Sequence, residues 1–274
     1  MESLLAGVTK ADVLVDPFPH VVIDKPYPDD VADQLLADYP PVDKVVGDEP
    51  YAQNKAYYYT ACQVLADDAM SPGWKAFAEH HSSAGFLTEV YELFEDHWPP
   101  NVRTMLTGAG KMSVGRRGVE TYADSDILID AQIGINTPVE EQPSSVRGPH
   151  VDRSCAFFGG LYYLRHPGDD STGGDLEIYR PKGELKGRFN GQKMAPKDVD
   201  VAKTVRYRHN TLVLFMNSVR SLHGVTPRSV TTWPRLLVNL VAEAEDPWYD
   251  LDAYQWHEEA PRGMLQRLRE RVGR

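Results

Sequence analysis

Cysteine is nearly absent from this chain. Only Cys62 and Cys155 occur among 274 residues, too few for a disulfide framework, so a reducing cytoplasm is the expected setting. Long apolar runs are missing too. No window of about 18 apolar residues occurs, so no transmembrane helix and no membrane partner is expected. The opening MESLLAGVTKADVLVDPFP lacks a basic start followed by an extended apolar core, which makes it a poor signal peptide. Basic residues are outnumbered, 29 Lys and Arg against 40 Asp and Glu, for a net charge of −11. Binding to a phosphate backbone needs a cationic footprint, so nucleic acid is not an expected partner. Internal repeats and low-complexity linkers are lacking as well.

What is present is the composition of an ordinary globular protein, 42% hydrophobic and 25% charged. The length suits one domain, residues 1–274, and is compatible with a homodimer. Residues 1–110 read as mostly helical support. FPHVVID (18–24) is a short β-rich run, and DDVADQLLADYPP places Val31, Leu35, Leu36 and Tyr39 on one helical face before Pro40 and Pro41 stop it. Ser71 and Pro72 form an N-cap and first helical position for SPGWKAFAEHH, with a break near Ser82–Gly85 and a second stripe through Leu87, Val90, Tyr91 and Phe94.

After about residue 110 the period changes. Ile127, Ile129, Ala131, Ile133 and Ile135 alternate, which predicts a half-buried strand ended by Pro138. CAFFGGLYYL, DLEIYR, TVRYR, TLVLFM and RLLVNLVAE read as further strands of a core over 111–245. The tail from Pro261 reads as a basic helix within a C-terminal extension, 246–274. The fold class is therefore mainly β (α+β), a sandwich or barrel braced by helices.

His150 and Asp152 stand two apart, so on a strand both point to one face and can address one ion. Alone, His-x-Asp is common and is most simply a solvated strand end. His223 lies in LFMNSVRSLHGVTP, after a strand and a short turn. Two histidines and one carboxylate with open coordination positions are the facial triad of non-haem Fe(II) oxygenases. Arg235 opens the strand RLLVNLVAE twelve residues past His223. Its guanidinium can grip a carboxylate through two parallel hydrogen bonds, as the far carboxylate of an iron-chelating 2-oxo diacid requires.

The order His-x-Asp, about seventy residues, His, then Arg about a dozen later resembles the Fe(II)/2-oxoglutarate-dependent oxygenases, especially their prolyl-4-hydroxylase-like branch. GGDLEIYR and NTLVLFMNSVRSLHGVTP are similar to segments of that branch, and the resemblance spans roughly 127–243. It implies a double-stranded β-helix (jelly roll, cupin-like) buttressed by N-terminal and C-terminal helices. It also implies Fe(II) held by His150, Asp152 and His223, 2-oxoglutarate paired with Arg235, and O2 as oxidant. The family's basic residue usually sits nearer ten positions after the histidine, so Arg228, five after His223, is a rival anchor. Gln132, Asn136 and either Tyr162 or Tyr163 are candidates to assist in binding the oxoacid. Halogenases of the superfamily replace the carboxylate by a small residue; Asp152 therefore favours hydroxylation.

Arg147 and Arg153 flank the triplet, either as solvated cations or as a clamp for a substrate carboxylate or phosphate at the mouth of the site. Gly159, Gly160, Gly173 and Gly174 read as backbone devices with φ > 0 or bulges. The expected substrate is a small molecule, an amino acid or natural-product intermediate, with a protein prolyl side chain as the alternative. A cupin-like metal protein without 2-oxoglutarate chemistry is the reading from a different class, and it has no need of a basic residue at 235.

Overall fold

The computed structural model describes residues 1–47, 50–100, 102–103, 112–183, 187–252 and 255–256. In chain order these form β1 (His20–Asp24), α1 (Asp29–Ala37), α2 (Val42–Val46), β2 (Ala56–Tyr59), α3 (Ala61–Ala66), α4 (Pro72–His81) and α5 (Ala84–Leu93). Then follow β3 (Val114–Arg116), β4 (Ile127–Asn136), β5 (Ala156–Tyr163), β6 (Leu176–Pro181), β7 (Val199–Val205), β8 (Thr211–Met216), β9 (His223–Val225), β10 (Arg235–Ala244), β11 (Tyr249–Asp250) and β12 (Gln255–Trp256).

The helices start where their caps dictate. The Ser71 hydroxyl accepts the Trp74 N–H, with Pro72 in the first turn of α4. The chain leaves α4 at Ser82 and Ser83 caps α5. In α3 Thr60 and Gln63 form a reciprocal capping box. Among the described residues, no helix is long and apolar enough to cross a membrane.

Strands run in the order β1-β8-β5-β10-β4 in one sheet, with β2 and β3 sharing the far edge of β4. A smaller sheet has the order β7-β6-β9. Residues 147–151 extend it past β9: His150 and His223 exchange both backbone hydrogen bonds at 2.9 Å, and Val225 N–H donates to the Arg147 carbonyl. From β4 onward the chain thus passes between the sheets repeatedly. It runs large (β4), small (147–151), large (β5), small (β6, β7), large (β8), small (β9), large (β10). That path is a double-stranded β-helix, the jelly roll expected.

Alternation along the strands divides the apolar residues into two cores. Ile127, Ile129, Ala131, Ile133 and Ile135 meet Trp74, Phe77, Phe86 and Val90 of the helices, each fully buried aliphatic contributing about 1.5–3 kcal/mol. Tyr163, Val213, Phe215 and Leu237 of the large sheet meet Leu176, Ile178 and Val205 of the small one.

Two expectations change. β4 is not half-buried; all ten residues are buried. Its second face, with Gln132 and Asn136, is roofed by neighbouring elements, and the Tyr58 ring lies where a side chain at Gly134 would go. TVRYR is a strand only through Val205; Asp175 then accepts from the Tyr207 N–H and from Arg206, and Tyr207 turns inward. The β-rich run FPHVVID forms β1 as expected, and β1 and β2 both join the large sheet. The helix expected from Pro261 lies outside the described residues.

Candidate active site

His150 enters from the edge segment of the small sheet, His223 from the first residue of β9, and Asp152 from the turn leading into β5. The ladder pairing of His150 with His223 brings the imidazoles to 4.2 Å between ring centroids. Each histidine places Nδ1 on a carbonyl two residues earlier, Gly148 O at 2.8 Å and Ser221 O at 2.9 Å. A carbonyl only accepts, so both rings carry their proton on Nδ1, and both Nε2 lone pairs face the Asp152 carboxylate at 3.7 Å. One donor atom from each of the three residues lies within 4.8 Å of the others. Burial, then the neighbouring His150, lowers His223 to about 4, so its lone pair is free at neutral pH. Burial acts to raise the Asp152 carboxyl, but His223, His150 and Arg147 outweigh it and hold the group well below the usual carboxylate range. Two imidazoles, each with Nδ1 held by a carbonyl, and an ionised carboxylate are a fitting donor set for a divalent first-row metal.

Arg235 lies on the same cavity, of about 370 Å³, together with all three candidate donors. Its side chain is 3% exposed. Nε donates to Gly174 O at 2.8 Å and Nη1 to Asn136 Oδ1 at 3.0 Å, while Nη2 is buried without a partner. The guanidinium lies 4.7 Å from the Tyr163 ring centroid and 5.0 Å from that of Tyr207. All these partners are neutral, so a buried cation faces the cavity with a donor to spare. The Gly174 carbonyl reaches it because Gly173 and Gly174 take φ of +76° and +72°; a Cβ on Gly173 would sit 1.9 Å from Pro227 O.

The other sequence candidates divide. Asn136 lines the cavity and orients Arg235. Arg147 lines it too, 3.6 Å from Asp152. Gln132 and Arg153 instead line an adjoining cavity of about 190 Å³, which shares Tyr58, Arg147, Asp152, Gly159 and Asn239 with the first. Gln132 is held there by Asp130 and Asn239, and Arg153 by Glu243.

Two candidates lie elsewhere. Tyr162 is on the opposite face of β5, against Tyr27 and Phe77 with its hydroxyl on Asn210, because its register partners Leu212 and Val238 belong to the helix-side core. Its neighbour Tyr163 is the tyrosine on the Arg235 side; its hydroxyl is buried with no well-aligned hydrogen bond. Arg228 is spent on Asp169 at 2.8 Å and Ser171 at 2.9 Å, outside both cavities. Gly159 and Gly160 are not φ-driven devices; they are strand residues that make room. A Cβ on Gly159 would sit 2.6 Å from Phe215 Cζ and 2.7 Å from Asp152 Oδ2.

Several lining residues escape the sequence reading: Asn54, Lys55 and Tyr58 beside the His150, Asp152 and His223 donors, and Arg117, Gln192 and Glu243 in the adjoining cavity. AYYY is β-prone, which signals β2, but nothing in its pattern signals that it caps the site.

No protein-family model matches the chain, and no curated protein matches it by sequence. Solved structures do. A Pseudomonas putida prolyl-4-hydroxylase is 13% identical with a TM-score of 0.48, covering 89% of this chain and 100% of its own. The 2-oxoglutarate-dependent carbocyclase SnoK of nogalamycin biosynthesis is 12% identical with a TM-score of 0.48, covering 90% and 85%. A prolyl hydroxylase from Trichoplax adhaerens, in complex with a hypoxia inducible factor peptide, is 12% identical with a TM-score of 0.47, covering 88% and 90%. Two imidazoles, one carboxylate and a buried, uncompensated guanidinium converge on one cavity of this chain, and that convergence sets the chemistry open to it.

Proposed function

We propose that the protein is a non-haem Fe(II)- and 2-oxoglutarate-dependent dioxygenase that hydroxylates an unactivated C–H bond of a small molecule. The observation that carries this reading is Arg235: a buried cation with an unpartnered Nη2, on the cavity that holds the His150–Asp152–His223 donors. A metal-only cupin-like protein gains nothing from that cation, whose burial is costly without an anion.

His150 and His223 would present Nε2 and Asp152 a carboxylate oxygen to iron, their orientation fixed by the Gly148 and Ser221 carbonyls. Bound there with 2-oxoglutarate and dioxygen, iron supplies oxidising chemistry that yields succinate and CO2 and places oxygen into a C–H bond. Arg235 binds the distal carboxylate of the oxoacid, and Asn136 keeps the guanidinium from swinging. Leu161, Leu176, Phe215, Val225 and Leu237 keep bulk water from the reacting centre. Cavities of about 370 and 190 Å³ suit a small metabolite beside the oxoacid. Two free cysteines and a ferrous site suit the reducing cytoplasm.

The test is succinate formation from 2-oxoglutarate with Fe(II) and ascorbate, with and without a metabolite panel. The expected result is succinate well above that of a His150→Ala control. Equal, background-level succinate from both proteins across the panel would overturn the reading.

A further inference from the structure

The adjoining cavity names the substrate class, on the basis of the oxygenase reading above. Arg117, Arg147 and Arg153 line it, against Asp152 and Glu243. Glu243 is 6% exposed and already engaged: Arg117 Nη2 donates to it at 2.5 Å, and Arg153 donates through Nε at 3.1 Å and again through Nη2. Arg117 and Arg153 are therefore committed to each other's acid. Arg147 is not committed in this way. Its Nη1 lies 3.6 Å from Asp152, too long for a hydrogen bond, and Asp152 is a metal ligand in the proposed holoenzyme.

Gln192 supplies the second observation. Its Oε1 accepts from Arg147 Nη2 at 3.2 Å, which turns the amide so that the NH2 end faces away from that bond. That Nε2 is buried and has no hydrogen-bond partner. Arg147 and Gln192 thus line one cavity, the guanidinium bonded to the amide oxygen, and no described residue accepts from the amide N–H.

We infer that Arg147 and Gln192 bind a carboxylate of the substrate, placing the rest of the molecule beside Asp152. A carboxylate offers two acceptor oxygens in one plane, one for the guanidinium and one for the amide N–H. A phosphate dianion fits less well, since its third acceptor oxygen and second charge exceed what one guanidinium and one amide N–H supply. Of the two arginines flanking the His-Val-Asp triplet, the substrate's partner is Arg147, and Arg153 braces the wall.

The test uses protein loaded anaerobically with Fe(II) and saturating 2-oxoglutarate, so that Arg235 is already occupied. Iron content and 2-oxoglutarate binding are measured first; their failure counts against the oxygenase reading. The carboxylate comparison is then still made on the metal-free protein. Calorimetric titrations compare benzoate with benzamide, 3-methylbutanoate with 3-methylbutanamide, and phenyl phosphate. The expected result is binding of each carboxylate at least about tenfold tighter than its amide. That preference falls to about twofold or less in Arg147→Gln and in Gln192→Leu, as for loss of a charge-assisted hydrogen bond. It persists in Arg180→Gln, which removes an exposed arginine paired with Asp16 and controls for net charge. Equal binding of acids and amides, no binding of either acid, tighter binding of phenyl phosphate, or a preference surviving in both site variants would each overturn the inference.

Discussion

Replacing Arg235 by Gln separates what the guanidinium does for the fold from what it does for the oxoacid. In the unliganded protein its hydrogen-bonding partners are the Gly174 and Asn136 oxygens, and its ring neighbours are Tyr163 and Tyr207. Losing it strands one or both oxygens, at about 1–3 kcal/mol each. It also removes a desolvated cation that no described acid compensates, a relief of several kcal/mol. These effects oppose, so the unliganded variant is expected within about 2 kcal/mol of wild type in urea unfolding.

Binding of 2-oxoglutarate is not protected by any such compensation. Truncating one side of a buried charge pair costs about 2–5 kcal/mol, so Kd rises roughly 30- to 4,000-fold. At a ligand concentration of about 100 wild-type Kd, the stabilisation by ligand falls from about 2.7 to below about 1 kcal/mol. Calorimetry gives Kd and denaturation with and without the ligand gives the stabilisation; iron content in the same samples separates lost oxoacid affinity from lost metal. A Kd change below about threefold would remove Arg235 as the anchor. Unliganded stability lowered by more than about 4 kcal/mol would show a structural role instead.

Two further outcomes follow from the packing. Gly159→Ala puts a methyl 2.6 Å from Phe215 Cζ and 2.7 Å from Asp152 Oδ2; overpacking of this kind costs about 1–3 kcal/mol, and displacement of the carboxylate lowers iron affinity, both read by urea unfolding and metal titration. Unchanged iron affinity would mean that Asp152 is not confined as described. His81 is buried, donates Nδ1–H to the Phe77 carbonyl at 2.8 Å and accepts the Leu4 N–H on Nε2 at 3.0 Å, leaving no place for a second proton; burial lowers it to about 3. Its folded pKa lies below the unfolded 6.5, so stability is intact above about pH 6.5 and is lost as pH falls toward 3, by about 2 kcal/mol at pH 5. His81→Leu is less stable at neutral pH but lacks this component; equal slopes between pH 7 and 5 for the two proteins would refute the assignment.

Much of this protein is legible along the chain because its determinants are local. The α4 start rests on Ser71 and Pro72, and the inner face of β4 on isoleucines two apart. The candidate metal half-site rests on His150 and Asp152, whose spacing survives any packing. What the chain alone leaves open is decided by partners distant in sequence. Tyr162 and Tyr163 differ by one position, and only the pairing of β5 with β8 and β10 decides which faces the helices and which faces Arg235. Arg228 and Arg235 both follow His223. The fold carries Asp169 to the first and leaves the second without an acid among the described residues. Arg153 and Arg147 flank one triplet, yet Glu243, at the far end of β10, claims the first. Residue identities and their spacing say which groups can do chemistry. Tertiary structure decided which of them remain unpaired, since a charge's partner is set by what folds beside it.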